Sequence, residues 1–334
     1  MKSAYETLFF KFINGNQKHS SINYSSIITR LSVINVSYFE KLFATCVNLY
    51  KNELGDDKEH IVRFDSTIVT LSTKLLNVGY NLKGGDAENY RQLKFTVDYS
   101  SIPEIVHFYT EQTHSCENVP LRETILKQSE YDKKSIKVFD RGITARKTYD
   151  TFTEQGIQFV SRVSVKAKHD KKIINNLTAI ETATLQVISD EWCQFYAEGC
   201  VKAKHLYRRI ETIQLATKEP ICFITNIKNL TAAEITEIYK KRWDIEVFFK
   251  FIKQLLNFKH LISRNENGIK VVLYVTMIAA ILLTAYKKLN SLNGYKIPKL
   301  KFAAELEVEI VKGIVVLCGG NPNKVDEILL CNSS

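Results

Sequence analysis

The chain has 334 residues, room for one large domain or two ordinary ones. Hydrophobic residues make up 45% and charged residues 25%, with only 13 Gly and 5 Pro, which excludes a disordered, collagen-like or linker-rich chain. Lys+Arg outnumber Asp+Glu by 46 to 36, a net charge of +10 that suits a polyanionic partner without specifying a fold.

The N-terminal stretch Met1–Glu6 lacks the apolar core of a signal peptide. The seven cysteines include no C-x-x-C, which argues against a disulfide framework and a Cys-based zinc knuckle, and for a reducing compartment. Apolar positions recur with helical spacing over residues 24–54, and Gly55-Asp56-Asp57 ends that segment. Residues 60–65 and 68–71 read as short β runs. Residues 77–92, with Gly79, Gly84 and Gly85, read as a loop. Strands are predicted at 93–97 and 105–109, a helix at 119–130, a strand at 135–140 and a helix at 143–155 that ends on Gly156. A strand at 159–163 completes an alternation that implies an α/β core. Residues 164–220 read as a β-rich insertion, basic through Lys166, Lys168, Lys171, Lys172, Lys202, Lys204, Arg208 and Arg209.

After a last apolar strand at 221–226, Thr231-Ala232-Ala233-Glu234 fits a capping box. The pattern predicts one long helix from 231 to about 257, followed by two or three more. The uncharged run 271–286 is shorter than the ~20 residues that cross a bilayer and reads as a buried core helix.

If the long helix is continuous, Tyr239, Arg242, Glu246 and Lys253 lie near 0°, 300°, 340° and 320°, a stripe about 60° wide beside an apolar face. Cations, a phenol and one acid suit phosphate and a divalent metal, although a solvated face with an Arg242–Glu246 pair has the same pattern. Asp65 and Asp140 each end an apolar strand, the edge where α/β sites form; both also fit as turn residues. Two strand-end Asp and a helix Glu are the hard oxygen ligands that a two-metal phosphodiester enzyme needs.

The spacing Tyr239-x2-Arg242-x3-Glu246-x6-Lys253 resembles the Y-R-E-K signature of bacterial insertion-sequence transposases of the IS-four type. Phe64-Asp65-Ser66-Thr67 is similar to that family's first-aspartate motif, and Asp140-Arg141-Gly142 to its D-R-G motif. The likeness covers roughly residues 35–290. It implies a ribonuclease-H-like catalytic core, a mixed sheet flanked by helices, over 58–290. A β-rich insertion subdomain would occupy 164–220. Helical regions would flank the core at 1–57, a candidate DNA-end-binding unit, and at 291–334.

The resemblance further implies that Asp65, Asp140 and Glu246 form a D-D-E triad for two Mg²⁺, with Mn²⁺ able to substitute. Tyr239, Arg242 and Lys253 would contact transposon-end phosphates. The reaction would be cut-and-paste transposition through a DNA hairpin. The partners implied are double-stranded DNA, both end repeats and target, and a second copy of the chain when ends are bound. No membrane role is expected, and the location would be the bacterial cytoplasm at the nucleoid. Hairpin-forming relatives flip a base against aromatics of the insertion. Trp192 fits either that stacking or simple packing, and Trp243 either packing or DNA contact. The family's K-x-H strand and later H-D pair have no match in Leu93-Lys94-Phe95 or His114-Ser115-Cys116. A lone His114/Cys116 pair is a poor zinc site. Two other functions fit the same text: a two-metal nuclease of the same fold, and a DNA-binding transposase remnant that inhibits transposition.

Overall fold

The computed structural model describes residues 24–54, 60–71, 80–81, 91–175, 182–197, 201–254, 256 and 265–331. Gly79, Gly84 and Gly85 of the predicted loop, Cys200, and the predicted end of the long helix near 257 lie outside them.

The predicted helix over 24–54 is two helices, α1 (Tyr24–Val33) and α2 (Val36–Leu54). The runs 60–65 and 68–71 merge into one strand, β1 (Ile61–Leu71). Then come β2 (Tyr80–Asn81), β3 (Arg91–Tyr99), β4 (Pro103–Tyr109), α3 (Asn118–Ser129), β5 (Ile136–Phe139), α4 (Arg146–Glu154) and β6 (Phe159–Val163). Gly156, with φ +72°, follows α4 in the left-handed conformation that glycine tolerates best. The segment 164–220 supplies β7 (His169–Ile174), β8 (Leu185–Phe195) and β9 (Tyr207–Gln214). The chain continues with β10 (Pro220–Thr225), α5 (Ala232–Lys240), α6 (Trp243–Gln254), α7 (Glu266–Leu289), α8 (Lys296–Leu317) and α9 (Asn323–Cys331).

Among the described residues, the ten strands join one mixed sheet in the order β2-β3-β1-β5-β6-β10-β9-β8-β7, with β4 also on β3. The β1–β5 and β5–β6 pairs are parallel and the other pairs antiparallel. Segment 164–220 therefore extends the central sheet through β10.

Alternation along the strands sends side chains to two faces. Val62, Phe64, Phe139 and Phe159 pack with Leu121 and Ile125 of α3 and Tyr149 and Phe152 of α4. Ile61, Val138, Val160 and Phe223 pack on the other face with Ile235, Ile238 and Tyr239 of α5. A third cluster joins Phe95 and Val97 of β3 to α2, to Ile245, Phe248, Phe249 and Ile252 of α6, and to α7. Each such side chain contributes about 1.5–3 kcal/mol when fully buried. The uncharged run lies within α7, whose 24 residues are long and apolar enough to span a bilayer. Leu273, Met277, Ala280 and Ile281 are nevertheless buried in the third cluster, as the core-helix reading expects.

Candidate active site

β1 and β5 run in parallel register from Ile61↔Ile136 to Phe64↔Phe139. One position further on, Asp65 and Asp140 become neighbours on adjacent chains, about 5 Å apart at Cα. Phe64 and Phe139 are both buried on the α3/α4 face. Alternation turns the two aspartates toward the α5 face, where the Tyr239 hydroxyl donates to Asp140 Oδ1 at 3.1 Å. Asp140 directly follows β5, as expected. Asp65 does not end its strand: β1 runs on to Leu71 because β3 pairs with it along its whole second half. It sits where the parallel pairing stops.

The predicted long helix is broken at Lys241-Arg242 between α5 and α6, so one continuous stripe does not exist. The cause lies far away in sequence. Arg63, 2% exposed on β1, donates from Nε to the Lys241 carbonyl at 2.7 Å and pairs with Asp244 at 3.2 Å. Asp244 N–H also takes that carbonyl at 3.1 Å, and Ile245 N–H turns to Arg242 O at 3.3 Å. A side chain inserted into the i→i−4 ladder breaks a helix in this way. The break still brings the predicted residues together. Arg242, 8% exposed, donates to Glu246 Oε1 at 2.5 Å and stacks 5.5 Å from the Tyr239 ring centre. The buried Arg242 Nε has no hydrogen-bond partner among the described residues.

Electrostatics separate the two aspartates. Burial pushes Asp65 up to about 6, helped by the charges of Glu117 and Glu246 and opposed by the Ser66 N–H and Arg242. Asp140 is held below the usual carboxylate range: burial raises it, but the Arg141 N–H, Arg242, the Tyr239 hydroxyl and Arg162 outweigh that. Asp65 and Glu246 line a cleft of ≈ 430 Å³ with Ser66, Thr67, Phe249, Lys250, Lys253 and Gln254. Lys253 Nζ lies over the Phe249 ring in its wall. A second cleft, of ≈ 330 Å³, adjoins it across Arg242 and includes Arg162, Lys240 and the 62%-exposed Trp243.

Trp192 is not brought to this place. It lies on β8, five strand spacings from β1, about 24 Å across the sheet, between Arg208 and Ile173. Much of the insertion's basic charge is internally committed. Arg208 forks onto Asp190, Arg209 pairs with Glu191 and Glu211, Lys171 with Glu191, Lys202 with Asp170 and Lys204 with Glu154.

Carboxylates at Asp65, Asp140 and Glu246 suit a hard divalent cation, which takes oxygen ligands. Among the described residues, His169, Glu191 and Cys193 form a separate group with ligand atoms within 4.8 Å of one another. Glu191 there is already bonded to Lys171 and Arg209. His114 and Cys116 make no centre either; His114 faces Glu123 at 3.4 Å.

Two residues at the site escaped sequence reasoning. Arg63 carried no local signal, since its role depends on a helix 178 positions away. Glu117, whose charge raises Asp65, stands one position beyond His114-Ser115-Cys116 and carries no motif of its own.

Fold and site together define an α/β protein with a carboxylate centre, braced by buried arginine, at the end of its parallel strands. Residues 57–282, two thirds of the chain, match the family described as the transposase DDE domain, and the chain belongs to that family. It is 32% identical over 147 residues to a protein of Geobacillus stearothermophilus described as a probable transposase for insertion sequence element IS5377, covering 44% of this chain and 38% of that one. It is 29% identical over 167 residues to transposase y4zB of Sinorhizobium fredii, covering 49% and 45%. It is 23% identical over 322 residues to a Synechocystis protein named as a transposase for insertion sequence element IS4SA, covering 85% of each. The chain thus spans under half the length of the first two relatives.

Proposed function

We propose that the chain is a cut-and-paste DNA transposase that cleaves and rejoins phosphodiesters through a D-D-E centre of Asp65, Asp140 and Glu246. The observation that carries this reading is the convergence of three carboxylates with Tyr239 and Arg242. Asp65 and Asp140 stand side by side on parallel strands, Tyr239 is bonded to Asp140, and Arg242 to Glu246. The topology β4-β3-β1-β5-β6, antiparallel then parallel, supports a ribonuclease-H-like core within residues 58–290, with 164–220 as its insertion.

The three carboxylates fit two Mg²⁺, or Mn²⁺. When bound, these ions supply activation of the attacking oxygen and stabilisation of the leaving one. The protein's own groups do the rest. Tyr239 holds Asp140 in place through its hydroxyl, and Arg242 orients Glu246. The orphaned Arg242 Nε is suited to a phosphate oxygen, because a buried unpaired N–H is costly and an anionic oxygen satisfies it. Lys253, in the cleft wall, contributes a second cation toward the DNA backbone.

The substrate is double-stranded DNA at the element's end repeats, then target DNA, with two copies of the chain pairing the ends. Water opens one strand, and the freed 3′-OH attacks the opposite strand to give a hairpin. Hydrolysis of that hairpin frees the end for joining. The exposed Trp243 beside Arg242 is better placed than Trp192 to meet a base displaced near the cut. The test is cleavage of DNA carrying the element's ends. Wild type should cut with Mg²⁺ and Glu246→Ala should not, while DNA binding persists. Cleavage by Glu246→Ala refutes the assignment.

A further inference from the structure

We infer that His169, Glu191 and Cys193 form a zinc site that ties the edge strand β7 to β8, apart from the carboxylate centre and independent of the function proposed for it. The three ligand atoms lie within 4.8 Å of one another. Glu191 and Cys193 are two positions apart on β8, so they point to one face of the sheet. Lys171 of β7 pairs with Cys193, and His169 stands two positions before Lys171, within diagonal reach across the strand pair. This is the face that packs α3 and α4, since Cys193 belongs to that cluster. Asp65 and Asp140 turn to the other face, and β8 is about 24 Å from β1 across the sheet.

The geometry around His169 suits a metal. Its Nδ1 lies 2.7 Å from the Ala167 carbonyl. A carbonyl only accepts, so in the neutral ring Nδ1 carries the proton and Nε2 keeps its lone pair, the way metal-bound histidines are held. That lone pair faces Glu191 Oε1 at 3.7 Å, beyond hydrogen-bond range. Zinc binds nitrogen and oxygen at about 2.1 Å and sulfur at about 2.3 Å, which sets tetrahedral ligand atoms about 3.3–3.6 Å apart. The Cys193 thiol, fully buried, lies 4.0 Å from the Glu191 carbonyl, a contact too long to hold it firmly. A small contraction brings all three atoms onto one ion.

Glu191 can spare an oxygen. Buried Arg209 holds Oε1 at 3.1 Å and is itself fixed by Glu211 at 2.9 Å. Oε2 takes Lys171 Nζ at 2.9 Å, from a side chain 59% exposed, and an ion pair to an exposed lysine is weak. Zinc displaces Lys171 from Oε2, and the Cys193 thiol gives its proton to solvent. Charge is conserved locally: Lys⁺ and Glu⁻ beside a neutral thiol become Zn²⁺ with Glu⁻ and a thiolate. Nitrogen, sulfur and oxygen together suit zinc, whereas magnesium selects oxygen alone. Water fills the fourth position on the side that Lys171 vacates.

The probe is Co²⁺, titrated into the full chain after chelator treatment and read by its thiolate-to-cobalt charge-transfer band. Wild type should develop the band with one equivalent, and Zn²⁺ but not Mg²⁺ should erase it. Cys193→Ser should abolish the band. His169→Gln, at a half-buried edge position that leaves the fold intact, should weaken Co²⁺ binding by more than the roughly tenfold that losing an outer partner costs. Lys171→Ala should tighten it by up to about fivefold, the worth of a surface ion pair. Asp140→Asn should keep the band. No band in wild type, or an undiminished band in Cys193→Ser or His169→Gln, overturns the inference. Loss of the band in Asp140→Asn also overturns it, because the metal then sits at the carboxylate centre.

Discussion

Replacing Asp65 with Asn should stabilise the protein at neutral pH, by an amount set by how poorly the fold tolerates that charge. Asp65 is half-buried between β5 and β3, within reach of the charges of Glu117 and Glu246, and its carboxyl is pushed up to about 6 from an ordinary 3.8. A raised carboxylate favours the protonated form in the folded state. Folding therefore carries no penalty from Asp65 well below about pH 4, and the penalty grows as pH rises through 6. Each tenfold change in proton affinity between unfolded and folded protein corresponds to about 1.4 kcal/mol, so Asp65→Asn should gain about 3 kcal/mol at pH 8 and about 0.5 kcal/mol at pH 4. The amide keeps the acceptor for the Ser66 N–H, now 2.8 Å from Asp65 Oδ1. The assay is denaturant unfolding of both proteins from pH 4 to pH 8 in chelator. Added Mg²⁺ should shrink the difference by stabilising the wild-type carboxylate. A gain equal at pH 4 and pH 8, or a loss at pH 8, refutes the reasoning.

Arg63→Met should remove the prop under the α5–α6 break, costing about 1–3 kcal/mol in urea unfolding for the lost charged hydrogen bonds. It should also lower kcat for DNA cleavage, since the break that places Arg242 and Glu246 is no longer held; an unchanged kcat counts against that link. Lys253→Ala should weaken end binding and reduce the slope of log K against log salt by about 0.9, the signature of one lost phosphate contact. A wild-type slope removes Lys253 from the backbone path.

Local chemistry made parts of this protein readable. The Thr231–Glu234 capping box forms as its spacing implies, with the Glu234 N–H donating to Thr231 at 3.3 Å and the Thr231 N–H to Glu234 at 2.7 Å. The apolar faces of α6 and α7 pack as their periodicity requires. What sequence periodicity missed depends on partners distant along the chain. Helical spacing runs smoothly from 231 to 254, yet Arg63 takes the Lys241 carbonyl and breaks the helix. Asp65 read as the end of an apolar strand, but Ser66 bonds Thr96 across the sheet and the strand continues. Arg208 and Arg209 read only as part of a basic insertion, whereas the β8–β9 register sets them beside Asp190 and Glu191, where they are buried.

Asp65, Asp140 and Glu246 are proposed to form one metal-dependent phosphodiester centre. It is tested most directly by incubating wild type and Glu246→Ala with DNA carrying the element's ends, with Mg²⁺ and with chelator. Strand cleavage by wild type in Mg²⁺ alone, with binding but no cleavage by Glu246→Ala, is the predicted result. Cleavage by Glu246→Ala at the wild-type rate, or by wild type in chelator, contradicts it.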